Sequence, residues 1–169
     1  TAPKNDLVSG LNLFVDCFQN WINEVSKEIS SLPAEFQSTA KRQQGHWKNA
    51  RDRMHRSIHR IDTDADLLTA YQRANEAMHL QRQWAFPGEP ERQSLTWRPF
   101  QLAFQLLVLA SLVDRDDDDR ETMDLLWFPT GGGKTEAYLA LMACVFFHRR
   151  LSRKEAGVGV SVIMRYTLR

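Results

Sequence analysis

Met123-Asp-Leu-Leu-Trp-Phe-Pro-Thr-Gly-Gly-Gly-Lys-Thr135 joins a short apolar run to three consecutive glycines and a Lys-Thr pair. A helical pattern follows through Ala137, Tyr138, Leu141, Cys144, Val145 and Leu151. After Gly157, the residues Val158, Val160, Val162 and Met164 alternate as strand residues do. Strand, glycine loop, helix, strand predicts a βαβ unit with a right-handed crossover. In that setting the loop is a phosphate cradle. Backbone N–H groups of Thr130, Gly131, Gly132 and Gly133 can curl around an anion, helped by the positive end of the following helix. Lys134 would place its ammonium on the β- and γ-phosphates, and the Thr135 hydroxyl would hold Mg²⁺. The usual eight-residue pattern has glycine first, where Phe128 stands.

Upstream, Pro99 suits a first helical turn, and Phe100–Val113 is apolar almost all round, which predicts a buried helix. Six acids and two arginines fill Asp114–Glu121, a run read as a solvated loop with no chemistry of its own. Nearer the start, Leu7, Leu11, Phe14, Phe18, Trp21 or Ile22, Val25, Ile29 and Leu32 define one face of a long helix closed by Pro33. Residues 34–45 are polar with Gly45 and read as a connection. A basic helix over 41–60 follows, then a helix opened by a Thr63-x-x-Asp66 capping box, with Leu67, Tyr71, Ala74, Met78 and Gln81 on one face. Pro87-Gly-Glu-Pro90 marks a boundary, giving a helical region at 1–90 and a nucleotide-binding lobe at 91–169.

Lys41, Arg42, Lys48, Arg51, Arg53, Arg56 and Arg60 face a single acid, Asp52, within 41–60. Arg51, Arg53 and Arg56 are therefore candidate contacts to a phosphate backbone, and Trp47 could stack on a base. The alternative is a solvated helix face, or one neutralised by acidic surface elsewhere in the intact protein. His55 and His59 are four apart, but no third ligand completes a metal pattern. Trp84, Trp97 and Trp127 read as packing residues, with the Trp127 ring turned inward.

The whole chain holds 169 residues with 22 Lys+Arg, 21 Asp+Glu and two cysteines. That length can bury a core without staples, and the cysteines give neither a disulfide framework nor metal-ligand spacing. A reducing, cytoplasmic setting without membrane insertion is expected, since no apolar run is long enough to span a bilayer. Thr1 at the start and a strand-like run at the end predict an excised piece of a longer protein.

Phe128-Pro-Thr-Gly-Gly-Gly-Lys-Thr-Glu-Ala137 resembles motif I of superfamily 2 helicases. Arg98-Pro-Phe-Gln101 resembles the upstream motif that contacts adenine in that superfamily, and Val162–Arg169 lies where its motif Ia touches nucleic acid. A narrower resemblance, over about residues 70–169, is to the large helicases of bacterial DISARM phage-defence systems. Arg73–Met78, Trp97–Phe104, Leu125–Tyr138 and Met164–Arg169 carry it. The resemblance implies a truncated α/β RecA-like lobe behind an α-rich region, and ATP with Mg²⁺ as cofactors. It implies adenine contact by Arg98 and Gln101, and DNA contact by Arg165, Thr167 and Arg169. It further implies DNA and a protein of a defence complex as partners. The acidic pair and the arginine finger such enzymes need have no counterpart here, so no catalytic residue is expected within the chain. Two other readings stay open at this point: a different P-loop NTPase, or a non-catalytic helical module that contacts proteins.

Overall fold

Tertiary packing, more than local propensity, decides where the helices of this chain run. A computed structural model describes residues 3–127 and 133–165. In it α1 (Lys4–Glu28) ends in a 3₁₀ turn at Ile29–Ser31, and α2 (Ala34–Thr63) returns antiparallel along it. The hairpin is joined by Lys4 to Asp62, Arg51 to Gln19, and Gln44 to Ser26. Leu11 and Ile22 are buried along α1, as its three-and-four spacing predicts, together with Val15, which that spacing leaves out. Phe18, Trp21 and Trp47 form a ring cluster between the helices, with Trp21 and Trp47 centroids 4.8 Å apart at 62°. Trp47 is thus a packing residue of the hairpin.

Residues 34–45 are helix and not a connection. Polarity misleads here: Ala34, Glu35, Gln37, Ala40, Lys41, Arg42, Gln43 and Gln44 are all good helix formers. Gly45 has open space where a Cβ would stand, so it is tolerated on the outer face. The capping residue of α3 (Ala65–Ala85) also differs from expectation. Thr63 closes α2, its hydroxyl donating to the His59 carbonyl at 2.8 Å. Asp64 opens α3 by accepting from the N–H groups of Asp66 and Leu67 at 2.9 and 3.0 Å. Leu67, Tyr71, Ala74 and Met78 are buried as expected, together with Ala70, while Gln81 is exposed.

A short α4 (Pro90–Gln93) leads to α5 (Pro99–Val113), and α6 (Lys134–Arg153) follows. Helix α5 packs between α2 and α6, while α3 packs on α6. Its backbone meets α2 closely, because the fully buried Ser57 hydroxyl accepts from the Ala110 N–H at 2.9 Å. Phe104 and Tyr138 meet edge to face across α5 and α6 at 5.6 Å. One apolar cluster draws on Leu11, Val15, Ile58, Ile61, Leu67, Leu106, Leu109 and Cys144, so the core spans both sides of residue 90.

The expected βαβ unit is not formed, and with it goes the RecA-like α/β lobe. Among the described residues there is no strand and every regular element is a helix or 3₁₀ turn. Alternating apolar residues make a strand only when a neighbouring chain accepts and donates the ladder bonds. Here the Val158 and Val160 carbonyls accept instead from the Arg149 guanidinium, at 2.7 and 2.8 Å. Met123 and Trp127 are 92% and 85% exposed, so the Trp127 ring is not turned inward. Trp84 is likewise exposed, whereas Trp97 is half-buried and donates to Asn75 of α3 at 2.7 Å. No helix among the described residues is long and apolar enough to cross a membrane.

Asp64 couples this fold to pH. Burial raises the pKa of its carboxyl, but the Leu67 N–H and then His148, at 3.2 Å, outweigh that and hold it below the usual range. A depressed carboxylate stabilises the fold above its unfolded pKa of about 3.9 and loses that contribution as pH falls through the lower folded value. Asp64→Ala should therefore lower stability by about 1 kcal/mol at neutral pH. In urea melts the difference from wild type should shrink below about pH 4.

Candidate nucleotide-binding site

The glycine loop enters α6 through Gly133, which has φ +90° and ψ 28° and stands at the N-cap. That left-handed conformation favours glycine. A Cβ there would stand 2.7 Å from Nε2 of Gln101 and 3.2 Å from a Glu136 carboxylate oxygen, so the space is closed as well as the angle. Lys134 and Thr135 form the first two residues of α6, the lysine half-buried and the threonine exposed. Their backbone N–H groups are among those of the first turn that have no helical acceptor. Glu136 brings a carboxylate near the same end. Thr130, Gly131 and Gly132 lie outside the described residues.

Gln101 links α5 to this loop. Its Oε1 accepts from the Arg98 N–H at 2.9 Å, and its Nε2 donates to the Gly133 carbonyl at 2.7 Å. The side chain is buried, and both ends of the amide are engaged. Arg98 and Gln101 are therefore brought to the same end of the molecule as Lys134, thirty-odd residues away in sequence. The contact between Gln101 and Gly133 is a role that sequence patterning missed, because the amide was read only as a partner for a base edge.

The candidate nucleic-acid residues are dispersed. Arg165 is exposed beside the cavity between α5, α6 and residues 161–165, while Thr167 and Arg169 lie outside the described residues. Arg51 pairs with Asp52 at 2.5 Å and donates to Gln19. Arg53 is buried and donates to both carboxylate oxygens of Asp124, at 2.7 and 2.6 Å, with Asp119 at 3.4 Å. The hydrogen bonds to Asp124 outweigh burial and push its guanidinium pKa upward. Arg56 bonds to Asp119, and Arg60 to Asp114. The acidic run is thus not a solvated loop without a role: it neutralises the arginines of α2. Among the described residues, no three His, Cys, Asp or Glu side chains converge as metal ligands. Cys17 is exposed, whereas burial pushes the Cys144 thiol up to about 12.

No family model matches the chain. Over 109 residues it is 48% identical to the DISARM protein DrmA of Bacillus paralicheniformis. The chain is related to a DISARM protein. The match covers 62% of the chain and 9% of the relative, so the chain spans a small part of the length of DrmA.

The loop geometry makes a double-mutant expectation. Gly133→Ala should lower the thermal midpoint, since a left-handed alanine costs about 1–2 kcal/mol before any clash with Gln101 is counted. Adding Gln101→Ala should recover part of the loss by removing the nearest atoms, leaving the dihedral strain. Thermal melts of both single variants and the double variant measure the coupling. Strictly additive effects would show that the amide yields without strain.

Proposed function

We propose that this chain is a nucleotide-binding part of a larger phage-defence ATPase that acts on DNA as a superfamily 2 helicase or translocase, alongside a protein partner of a DISARM complex. The similarity to DrmA supports the defence role. The observation that carries the nucleotide reading is Gly133 at a positive φ, tied by Gln101 and followed at once by Lys134 and Thr135 on the first turn of α6.

The described part of the loop fits a phosphate group. Gly133 turns the backbone into α6 through a left-handed conformation, the helix end is positive, and Lys134 and Thr135 are the first two residues of the helix. Lys134 would pair with phosphate oxygens, and the Thr135 hydroxyl would face a nucleotide-bound Mg²⁺. That ion would supply charge neutralisation at the β- and γ-phosphates. Gln101 would hold the loop end in register, and its neighbour Arg98 would meet the base side of the ligand. Glu136 near the same end opposes an anion, so a magnesium nucleotide suits the site better than free phosphate.

Binding should be measurable on this chain by titrating a fluorescent ADP in the presence of Mg²⁺. Lys134→Ala should weaken it by about 2 kcal/mol, roughly 30-fold, because charge-assisted bonds to phosphate are the strong ones. Equal affinities for the two proteins would refute the assignment.

Turnover should not accompany binding. Hydrolysis needs a positioned water and cationic stabilisation of the transferring group, and an arginine finger alone is worth roughly 10³–10⁵ in rate. Between Thr135 and Arg165 the carboxylates are Glu136 and Glu155, one at each end of α6 and not an adjacent pair. Phosphate release at about one turnover per second with single-stranded DNA, abolished by Lys134→Ala, would place the catalytic half within this chain.

A further inference from the structure

The segment 114–121 sorts its charges by side. Asp114, Asp117 and Asp119 turn to the arginines of α2. Arg115 and Arg120 instead line a cleft of about 420 Å³ with Arg149 and Arg153 from the last turns of α6. The Ser152 and Ser161 side chains complete its polar wall, no Asp or Glu lines it, and His148 is the one ring in the lining. His148, at its edge, is turned to Asp64.

Two of these guanidiniums are held by neutral acceptors. Arg149 donates through Nη1 to the Val160 carbonyl at 2.8 Å and to Ser161 Oγ at 2.7 Å, and through Nη2 to the Val158 carbonyl at 2.7 Å. Its Nε is buried without a hydrogen-bond partner. Arg120 donates to the Ser111 and Leu112 carbonyls at 2.6 and 3.1 Å. Carbonyls fix the orientation of a guanidinium without cancelling its charge. Among the described residues, none of Arg115, Arg120, Arg149 and Arg153 takes part in an ion pair. Cations gathered in a concave, low-dielectric site focus their field on an incoming anion.

We propose that this cleft binds the sugar-phosphate backbone of a nucleic acid. Arg115 and Arg153, exposed and outside any ion pair, carry guanidinium forks that match phosphate oxygens in geometry, and Arg120 and Arg149, held by carbonyls, add positive charge beside them. The one ring in the lining, His148, is held by Asp64, so contact is to the backbone and independent of sequence. The cleft lies toward the far end of α6 from Lys134, with Arg149 and Arg153 about 22 and 28 Å along the helix axis. It is therefore separate from the nucleotide loop and does not depend on that assignment.

Fluorescence anisotropy with labelled dT20 across a salt series tests this on the full chain. The variant is Arg115→Gln with Arg153→Gln, two exposed side chains that no packing contact requires, with circular dichroism to check the fold. Removing two phosphate contacts should reduce the slope of log K against log salt by about 1.4 and weaken binding at least about tenfold at low salt. Lys134→Ala should leave both unchanged. Unaltered affinity and slope in the double variant would overturn the proposal. So would loss of binding in Lys134→Ala alone, or competition by polyglutamate or ADP as effective as that by unlabelled dT20.

Discussion

The buried pairing of Arg53 with Asp124 holds the two halves of the chain to one another. A guanidinium in the wall of the core is stable only when its charge and its N–H groups are met, and both oxygens of Asp124 do so within 2.7 Å. With Asp124 fixed, the residues leading toward the glycine loop start from a defined place beside α2. Asp119 and Asp117 are drawn in on the same side by Arg53 and Arg56, which leaves Arg115 and Arg120 facing α6. A loop of mostly acidic residues thereby shows a cationic side to the rest of the molecule.

The loop's other anchor is equally economical in residues. Gln101 closes the first turn of α5 with one end of its amide and grips the Gly133 carbonyl with the other. Helix α5, apolar and central, thus sets where α6 begins, and the phosphate-facing groups of α6 inherit that position. The apolar contacts of Leu106 and Leu109 supply most of the adhesion, while the two polar links supply direction.

Periodicity makes α1, α3 and α6 legible from sequence, because each carries a stripe at three-and-four spacing, and α5 is legible because it is apolar almost all round. The first half of α2 was hidden by its own polarity, since good helix formers without an apolar stripe look like a loop until a neighbouring helix supports them. Asp64 and not Thr63 capping α3 is a one-residue difference that only the hydrogen bonds decide. Met123–Phe128 reads as a strand from its apolar run before the glycines and 158–164 from alternation, but neither pattern records whether a ladder partner stands alongside. Of the candidate site, Gly133, Lys134 and Thr135 were legible as a motif. The partners of Arg53, Arg56 and Arg60 were not, because 54 to 71 residues separate donor from acceptor and no local pattern encodes a pairing at that distance.

That separation has a consequence for how the chain is made. The arginines of α2 leave the ribosome before Asp114, Asp119 and Asp124 have been added. At about 5–20 residues per second, the gap lasts roughly 3–14 seconds. Throughout that interval the nascent helix carries a bare cationic face in a compartment full of RNA, and only the arrival of the acidic segment withdraws it from competition.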